Sequence, residues 1–237
     1  RCPDCPGAGW GYHFPFRSRF TAYGERTPNI IVTAFVAKGL AAATRAGLLG
    51  CEAALSDVCT FVLEGLARET TADGQRFGYL PDYVDSIHNS NALAALVLAE
   101  CGSIVGDAQV VEEAVAAADE IVAHQRGDGS WPYSEERQGA WVDSFHTGFV
   151  LEGLAAVHQA RPRGETARAI ARGFDFYLRS FFGPAGEPYY TPVKRYPYDA
   201  LSAAEGLEVL ALLTSWVPEG KDVRDRLLTW VLGHMID

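Results

Sequence analysis

The sequence predicts an all-α fold of about four helical hairpins, curved into an arc or ring with one polar rim. Three observations predict it. Asp143-Ser-Phe-His146 opens a run that continues through Phe149, Val150, Leu151 and Leu154, so one helix begins with two ionisable groups and then turns apolar. The pattern recurs from Asp85, from Asp199 and, more weakly, from Asn29, at spacings of 56, 58 and 56 residues. Self-similarity at a near-constant period marks a repeat architecture. Period-2 alternation is almost absent, so strands should be few and short.

Composition bounds the reading. Of 237 residues 48% are hydrophobic, enough for one substantial core. The expected division is a loop segment, 1–28, and a single repeat domain, 29–237, cut as 29–84, 85–142, 143–198 and 199–237. A net charge of −10 argues against nucleic acid or an anionic membrane as partner. No apolar run is long enough to span a bilayer, and no signal-peptide pattern is visible. Arg1 in place of Met reads as a processed or truncated chain.

Of the five cysteines, Cys51, Cys59 and Cys101 fall in Ala-rich helical stretches and read as small buried hydrophobes. Cys2 and Cys5 form a CxxC that no second pair completes, so neither metal nor cofactor is expected. The cysteine usage suits a reducing, cytoplasmic compartment.

The elements follow in order. Residues 1–28 are rich in Gly and Pro and carry Trp10-Gly-Tyr12-His13, which suits a binding loop. Thr27-Pro28 starts a first helix, about 29–47, and glycines at 47 and 50 end it. Further helices are expected at about 51–68, 86–101, 107–125, 143–160, 165–182, 200–216 and 220–235. Gly127 and Gly129 break the fourth. The loops carry a second repeat: Trp10-Gly-Tyr12, Phe77-Gly-Tyr79, Trp131-Pro-Tyr133 and Pro188-Tyr-Tyr190. Hairpins stacked this way place the glycine- and alanine-rich helices inside and the charged ones outside. Four pairs make either an open arc or part of a larger ring, and exposed apolar ends of an arc would favour a homodimer.

Loops and inner-helix starts should converge on one concave face. The expected lining is Trp10, Tyr12, His13, Tyr79, Asp85, His88, Asn89, Trp131, Tyr133, Trp141, Asp143, His146, Tyr190 and Asp199. Aromatic walls with a few ionisable groups describe a small-molecule or oligosaccharide site. Asp85, Asp143 and Asp199 are equally candidates for plain helix caps. His88 and His146 are harder to read as caps, because a helix start disfavours the imidazolium and leaves a neutral base. His146 with Asp143, and His88 with Asp85, are therefore the candidate acid–base pairs. Arg17 and Arg19, with Lys194 and Arg195, stand in the same loops and suggest either an anionic group on the ligand or ion pairs with Asp82, Asp85 or Glu187.

These residues resemble a known superfamily, the α/α toroids, over nearly the whole chain. Gln125-Arg-Gly-Asp-Gly129-Ser-Trp131 is similar to the Gln-x3-Gly-x-Trp element of triterpene cyclases. Gly9-Trp-Gly-Tyr, Thr27-Pro-Asn-Ile, His88-Asn89, Asp128-Gly-Ser-Trp and Trp141-x-Asp-Ser-Phe-His-Thr-Gly-Phe resemble bacterial proteins associated with exopolysaccharide biosynthesis. The Asp-x-Asp-Asp motif of class II terpene cyclases is absent; Asp82-Tyr-Val-Asp85 is not it. The resemblance implies a carbohydrate-active enzyme that hydrolyses, eliminates or epimerises at an anionic sugar. Trp10, Trp131 and Tyr133 would stack on the ring, and Arg17 or Arg19 would hold the carboxylate. A terpenoid cyclase-like enzyme and a non-catalytic binding module are the alternatives.

Overall fold

The computed structural model describes residues 5–17, 22–48 and 50–235. Eight α-helices dominate them: α1 (Ile30–Arg45), α2 (Cys51–Thr60), α3 (His88–Val105), α4 (Ala108–Ala123), α5 (Ser144–Ala160), α6 (Gly164–Phe181), α7 (Ala200–Leu213) and α8 (Gly220–His234). Two short antiparallel hairpins complete the regular structure. β1 (Phe16–Arg17) pairs with β2 (Ala22–Tyr23), and β3 (Arg68–Thr70) pairs with β4 (Gln75–Phe77). The fold is an all-α, α/α toroid.

The odd-numbered helices form the inner layer. Each packs on the next, α1 on α3, α3 on α5 and α5 on α7, and each carries its even-numbered partner outside. The sequence explains the layering. α3 and α5 are apolar on every side and almost wholly buried. α6 alternates Arg and Asp with Ile170, Phe174 and Tyr177, so it buries one stripe and exposes the other. α3 and α5 approach closely because Gly153 faces Ala92, whose carbonyl oxygen would lie 2.4 Å from an added Cβ. α8 is the most exposed helix and leaves Leu228 and Leu232 in solvent.

Consecutive repeats are stitched by the aromatic loops. The Tyr79 carbonyl accepts the first helical N–H of α1, at Ile30, over 3.1 Å. Tyr133 does the same for His88 of α3 (3.1 Å), and Tyr190 for Ser144 of α5 (3.0 Å). Each loop thereby satisfies a backbone donor that a helix cannot satisfy alone. Side-chain caps occur at three of the four repeat starts. Asn29 Oδ1 accepts from Val32 N, Asp143 Oδ1 from His146 N and Asp199 Oδ2 from Ser202 N.

The second repeat departs from this register. α3 begins at His88 with Ile87 in the cap position, two residues later than the Asp85 cap expected. Asp85 instead accepts from Tyr79 N (2.8 Å), Ile87 N (3.0 Å) and the Ser90 hydroxyl (3.2 Å). α2 also differs: its last turn, Phe61–Gly65, widens to a π-turn closed by Leu66 N to Phe61 O. The β3–β4 hairpin replaces the expected end of that helix and part of the loop after it. Asn91 holds the hairpin, accepting from Phe77 N and donating to Gln75 O.

Candidate functional site

The start of α5 carries an acid–imidazole pair. Asp143 is 1% exposed and each of its oxygens is engaged. Oδ1 accepts the His146 backbone N–H at 2.8 Å, as an N-cap should. Oδ2 lies 2.7 Å from His146 Nδ1 and 2.8 Å from Trp141 Nε1. Burial works to raise the Asp143 pKa, but the hydrogen bond and charge of His146, with the other donors, hold it below the usual carboxylate range. An ionised Asp143 can only accept, so it fixes the proton of a neutral His146 on Nδ1 and leaves Nε2 as the free lone pair.

The His146 ring lines a cavity of about 430 Å³. Tyr12, Phe16, Tyr79, Tyr83, Tyr133, Trp141, Phe145 and Phe149 supply aromatic walls, and Ile31, Ile87, Asn89 and Leu201 complete the lining. Tyr133 and Trp141 stack at 4.7 Å and 7°, and the Tyr133 ring meets His146 edge-on at 4.6 Å. Burial pushes the phenols of Tyr12, Tyr79 and Tyr133 up, so they stay hydroxyls at neutral pH. His146 is the one imidazole that lines the cavity among the described residues.

Asn89 adds a polar group. It is 3% exposed, and its Oδ1 has no hydrogen-bond partner. A buried acceptor left unpaired is costly, and here it borders the cavity that a ligand hydroxyl could enter. A second cavity of about 600 Å³ adjoins the first, with Tyr83 and Ile87 in both walls. Tyr23, Asp82, Asp85, Ser134 and Glu136 line it. Among the described residues no Lys or Arg lines either cavity.

The structure thus gathers Tyr12, Tyr79, Asn89, Tyr133, Trp141 and His146 around one cavity, with Asp143 behind His146. Other expected residues stand elsewhere. His88 does not line the large cavity, being the first residue of its helix where His146 is the third of α5; it shares only a small crevice with Asn89, Asp143 and His146. Its Nε2 lies 2.6 Å from Glu135 Oε1, and its ring packs against His124. Asp85 borders the second cavity with both oxygens already accepting backbone donors, and burial raises its pKa. Asp199 is a cap whose Oδ2 also holds the Ser202 hydroxyl, and it lines neither cavity.

Trp131 is a core residue. It is 2% exposed, donates from Nε1 to Ile121 O at 2.9 Å and lies so close to Gly173 of α6 that an added Cβ would sit 2.5 Å from the ring. It cannot stack on a ligand. Gln125, from the same element, bonds Gly129 O and Ala169 O, so this motif is a staple between α4 and α6. Trp10 packs partly against the core, and its backbone N–H donates to the Thr33 hydroxyl. His13 is exposed and borders two smaller cavities, one shared with Tyr12 and Phe35 and one with Trp10 and Arg26. Tyr190 contributes its carbonyl to α5 rather than its ring to the cavity. Arg17 is exposed on β1, Arg195 lies over the Tyr189 ring, and Lys194 is exposed. Arg19 falls outside the described residues.

The sequence reading missed Phe16, Ile31, Tyr83, Ile87, Phe145, Phe149 and Leu201. Tyr83 carried a usable signal, since it precedes Asp85 by two residues as Trp141 precedes Asp143. Phe145 and Phe149 are i, i+4 neighbours on α5, which places both beside His146.

No family model and no curated protein sequence matches the chain. Solved structures do. A D-mannose isomerase matches with a TM-score of 0.67 and 15% identity, over 91% of this chain and 63% of that one. A mannosidase of glycoside hydrolase family 76 from Bacteroides thetaiotaomicron gives 0.68 and 10%, over 94% and 66%. Cellobiose 2-epimerase from Spirochaeta thermophila gives 0.64 and 16%, over 90% and 57%. The chain is similar to these proteins in fold, as an α/α toroid, and spans less than two thirds of the length of each.

Proposed function

We propose that the chain is carbohydrate-active and works by acid–base chemistry in the aromatic cavity, with His146 moving the proton. The observation that carries this reading is the Asp143–His146 pair: Nδ1 is tied to a buried carboxylate and the ring lines the cavity. Among the described residues no pair of carboxylates lines that cavity, whereas glycoside hydrolysis ordinarily uses two, one on each side of the bond. Proton transfer at a carbon next to a carbonyl needs only a placed base and a hydrogen-bonded oxygen. The reaction we favour is therefore isomerisation or epimerisation of an open-chain aldose or ketose end.

In that step His146 Nε2 takes the proton from the carbon beside the carbonyl. The electron pair of the broken C–H bond forms an enediol(ate); a proton then adds to the opposite face of the same carbon, giving the epimer, or to the neighbouring carbon while the hydroxyl proton passes to the former carbonyl oxygen, giving the isomer. Asp143 supports the imidazolium that forms. Tyr133 and Trp141 offer flat apolar faces to the sugar ring. Asn89 Oδ1 would accept from a hydroxyl. The adjoining cavity leaves room for a second ring, which favours a short oligosaccharide.

Among the described residues the lining carries no cationic side chain, which favours a neutral sugar over an anionic one or a prenyl diphosphate; Arg19 lies outside those residues. The aromatic walls would suit a carbocation, but the orphan acceptor of Asn89 asks for a hydroxyl donor. The test is incubation with neutral aldoses, ketoses and disaccharides in D2O, followed by NMR. Deuterium incorporation beside the carbonyl, lost in His146→Ala, is the expected result. Turnover of uronic-acid oligosaccharides or prenyl diphosphates without such exchange would overturn it.

A further inference from the structure

Beneath the aromatic cavity lies a second polar group that the proposed chemistry does not use. Lys38 of α1 reaches across to Glu152 of α5 and Glu208 of α7. Glu205 of α7 joins them, and one carboxylate oxygen from each of Glu152, Glu205 and Glu208 lies within 4.8 Å of the others. Glu152 is six residues after His146 on α5, about 9 Å further down the helix axis at the α-helical rise.

Three carboxylates face one ammonium. Burial, with the neighbouring carboxylates, pushes the Glu152 pKa up to about 7 and the Glu205 pKa up to about 9, so the group holds a proton near neutral pH in place of a second cation. Glu205 is 5% exposed, and its Oε1 has no hydrogen-bond partner. The Tyr177 hydroxyl from α6, fully buried and within electrostatic reach of Glu205 and Glu152, is also without a partner. Two buried oxygens on different helices thus lack a donor or a cation beside the same acidic group, and unpaired buried polar groups of this kind call for an occupant. Glu208 is about half exposed, which gives a path from solvent.

We propose that Glu152, Glu205 and Glu208 form a binding site for a hard divalent cation, calcium or manganese. One such ion would displace the proton held by Glu205 and pair with the carboxylates that Lys38 alone does not balance. All-oxygen donors select hard ions, and calcium tolerates the irregular geometry of carboxylates from two helices completed by water. The ion would tie α5 to α7 under the cavity floor. The other acidic group with metal-like spacing, Asp73, Glu120 and His124, differs in that its buried member, Glu120, has a partner on each oxygen, whereas buried Glu205 leaves Oε1 without one.

The test is independent of any sugar chemistry. Protein stripped with EDTA and desalted is titrated with CaCl2 and with MnCl2 by calorimetry, and melted with and without each salt. The expected result is one ion per chain, a rise in Tm that NaCl of equal ionic strength does not give, and at least tenfold weaker binding in Glu205→Gln and in Glu208→Gln. Glu208 is exposed enough that its variant should fold, and circular dichroism checks both. No binding heat and no Tm rise in the parent protein would overturn the proposal. Binding that both variants retain in full would overturn it equally, by placing the ion elsewhere.

Discussion

Asp143 Oδ2 sits 2.7 Å from His146 Nδ1 while Oδ1 of the same carboxylate caps the helix on which His146 stands. One side chain thus fixes both the backbone and the imidazole. The two tasks can be separated. Asp143→Asn keeps an oxygen for the His146 N–H but loses the anion. It should lower kcat/KM by about 10²-fold or more while changing stability by no more than about 1 kcal/mol. His146→Ala should lower kcat/KM by about 10²–10⁴-fold. Steady-state kinetics on the sugar identified by deuterium exchange, alongside urea melts, check both.

Asn89 should behave in the opposite way to a structural asparagine. Its Oδ1 has no partner within the protein, so Asn89→Ala removes a group that costs stability. The expected outcome is an unfolding free energy within about 1 kcal/mol of the parent, with KM raised roughly tenfold, the value of one hydrogen bond to a ligand. A large loss of stability with unchanged KM would show that the amide serves the fold instead.

Stability should fall with rising pH through the carboxylates under the cavity. Burial, then the neighbouring charges of Glu152 and Glu208, push the Glu205 pKa up to about 9. The unfolded value is near 4.3. Between these values the folded chain keeps a proton that the unfolded chain has released. The folded state is therefore favoured less and less as pH rises through that window, and the trend levels off above about 9. Urea midpoints at pH 5, 7 and 9, measured with chelator present, should decline more steeply in the parent than in Glu205→Gln. Equal slopes would contradict this account.

Trp131→Ala should unfold the protein more readily by about 3–5 kcal/mol, because it empties a core site and orphans Ile121 O. Gly173→Ala should cost about 1–3 kcal/mol by driving a methyl into the same indole. Ligand affinity, measured at a temperature where each variant remains folded, should be unchanged in both.

These cases also show what the sequence reveals and what it hides. The layering of helices was legible, since it rests on a period of 56 to 58 residues and on helical spacing of apolar side chains. The Asp143 cap was legible because it depends on residues three apart. The late start of α3 was not. Asp85-x-x-His88 copies Asp143-x-x-His146 without a gap, and only the tertiary bond from Tyr79 N to Asp85 decides that the first is no cap. Trp131 reads as a loop aromatic until Gly173 is placed above it. The Lys38–Glu152 pair joins residues 114 apart and leaves no local trace.

The stitching of helix starts by loop carbonyls makes the inner helices interchangeable mounts. Counted from their caps, the third helical positions of α1, α3, α5 and α7 are Val32, Ser90, His146 and Ser202. Three of these helix starts carry an Asn or Asp cap, and of the four positions a single one presents an imidazole. The scaffold therefore does not dictate where its reactive group sits. A histidine moved to Ser202, with Asp199 already in the cap position behind it, would approach the cavity from another wall beside Leu201. Proton chemistry in this architecture can migrate from repeat to repeat by point substitution, with the frame left standing.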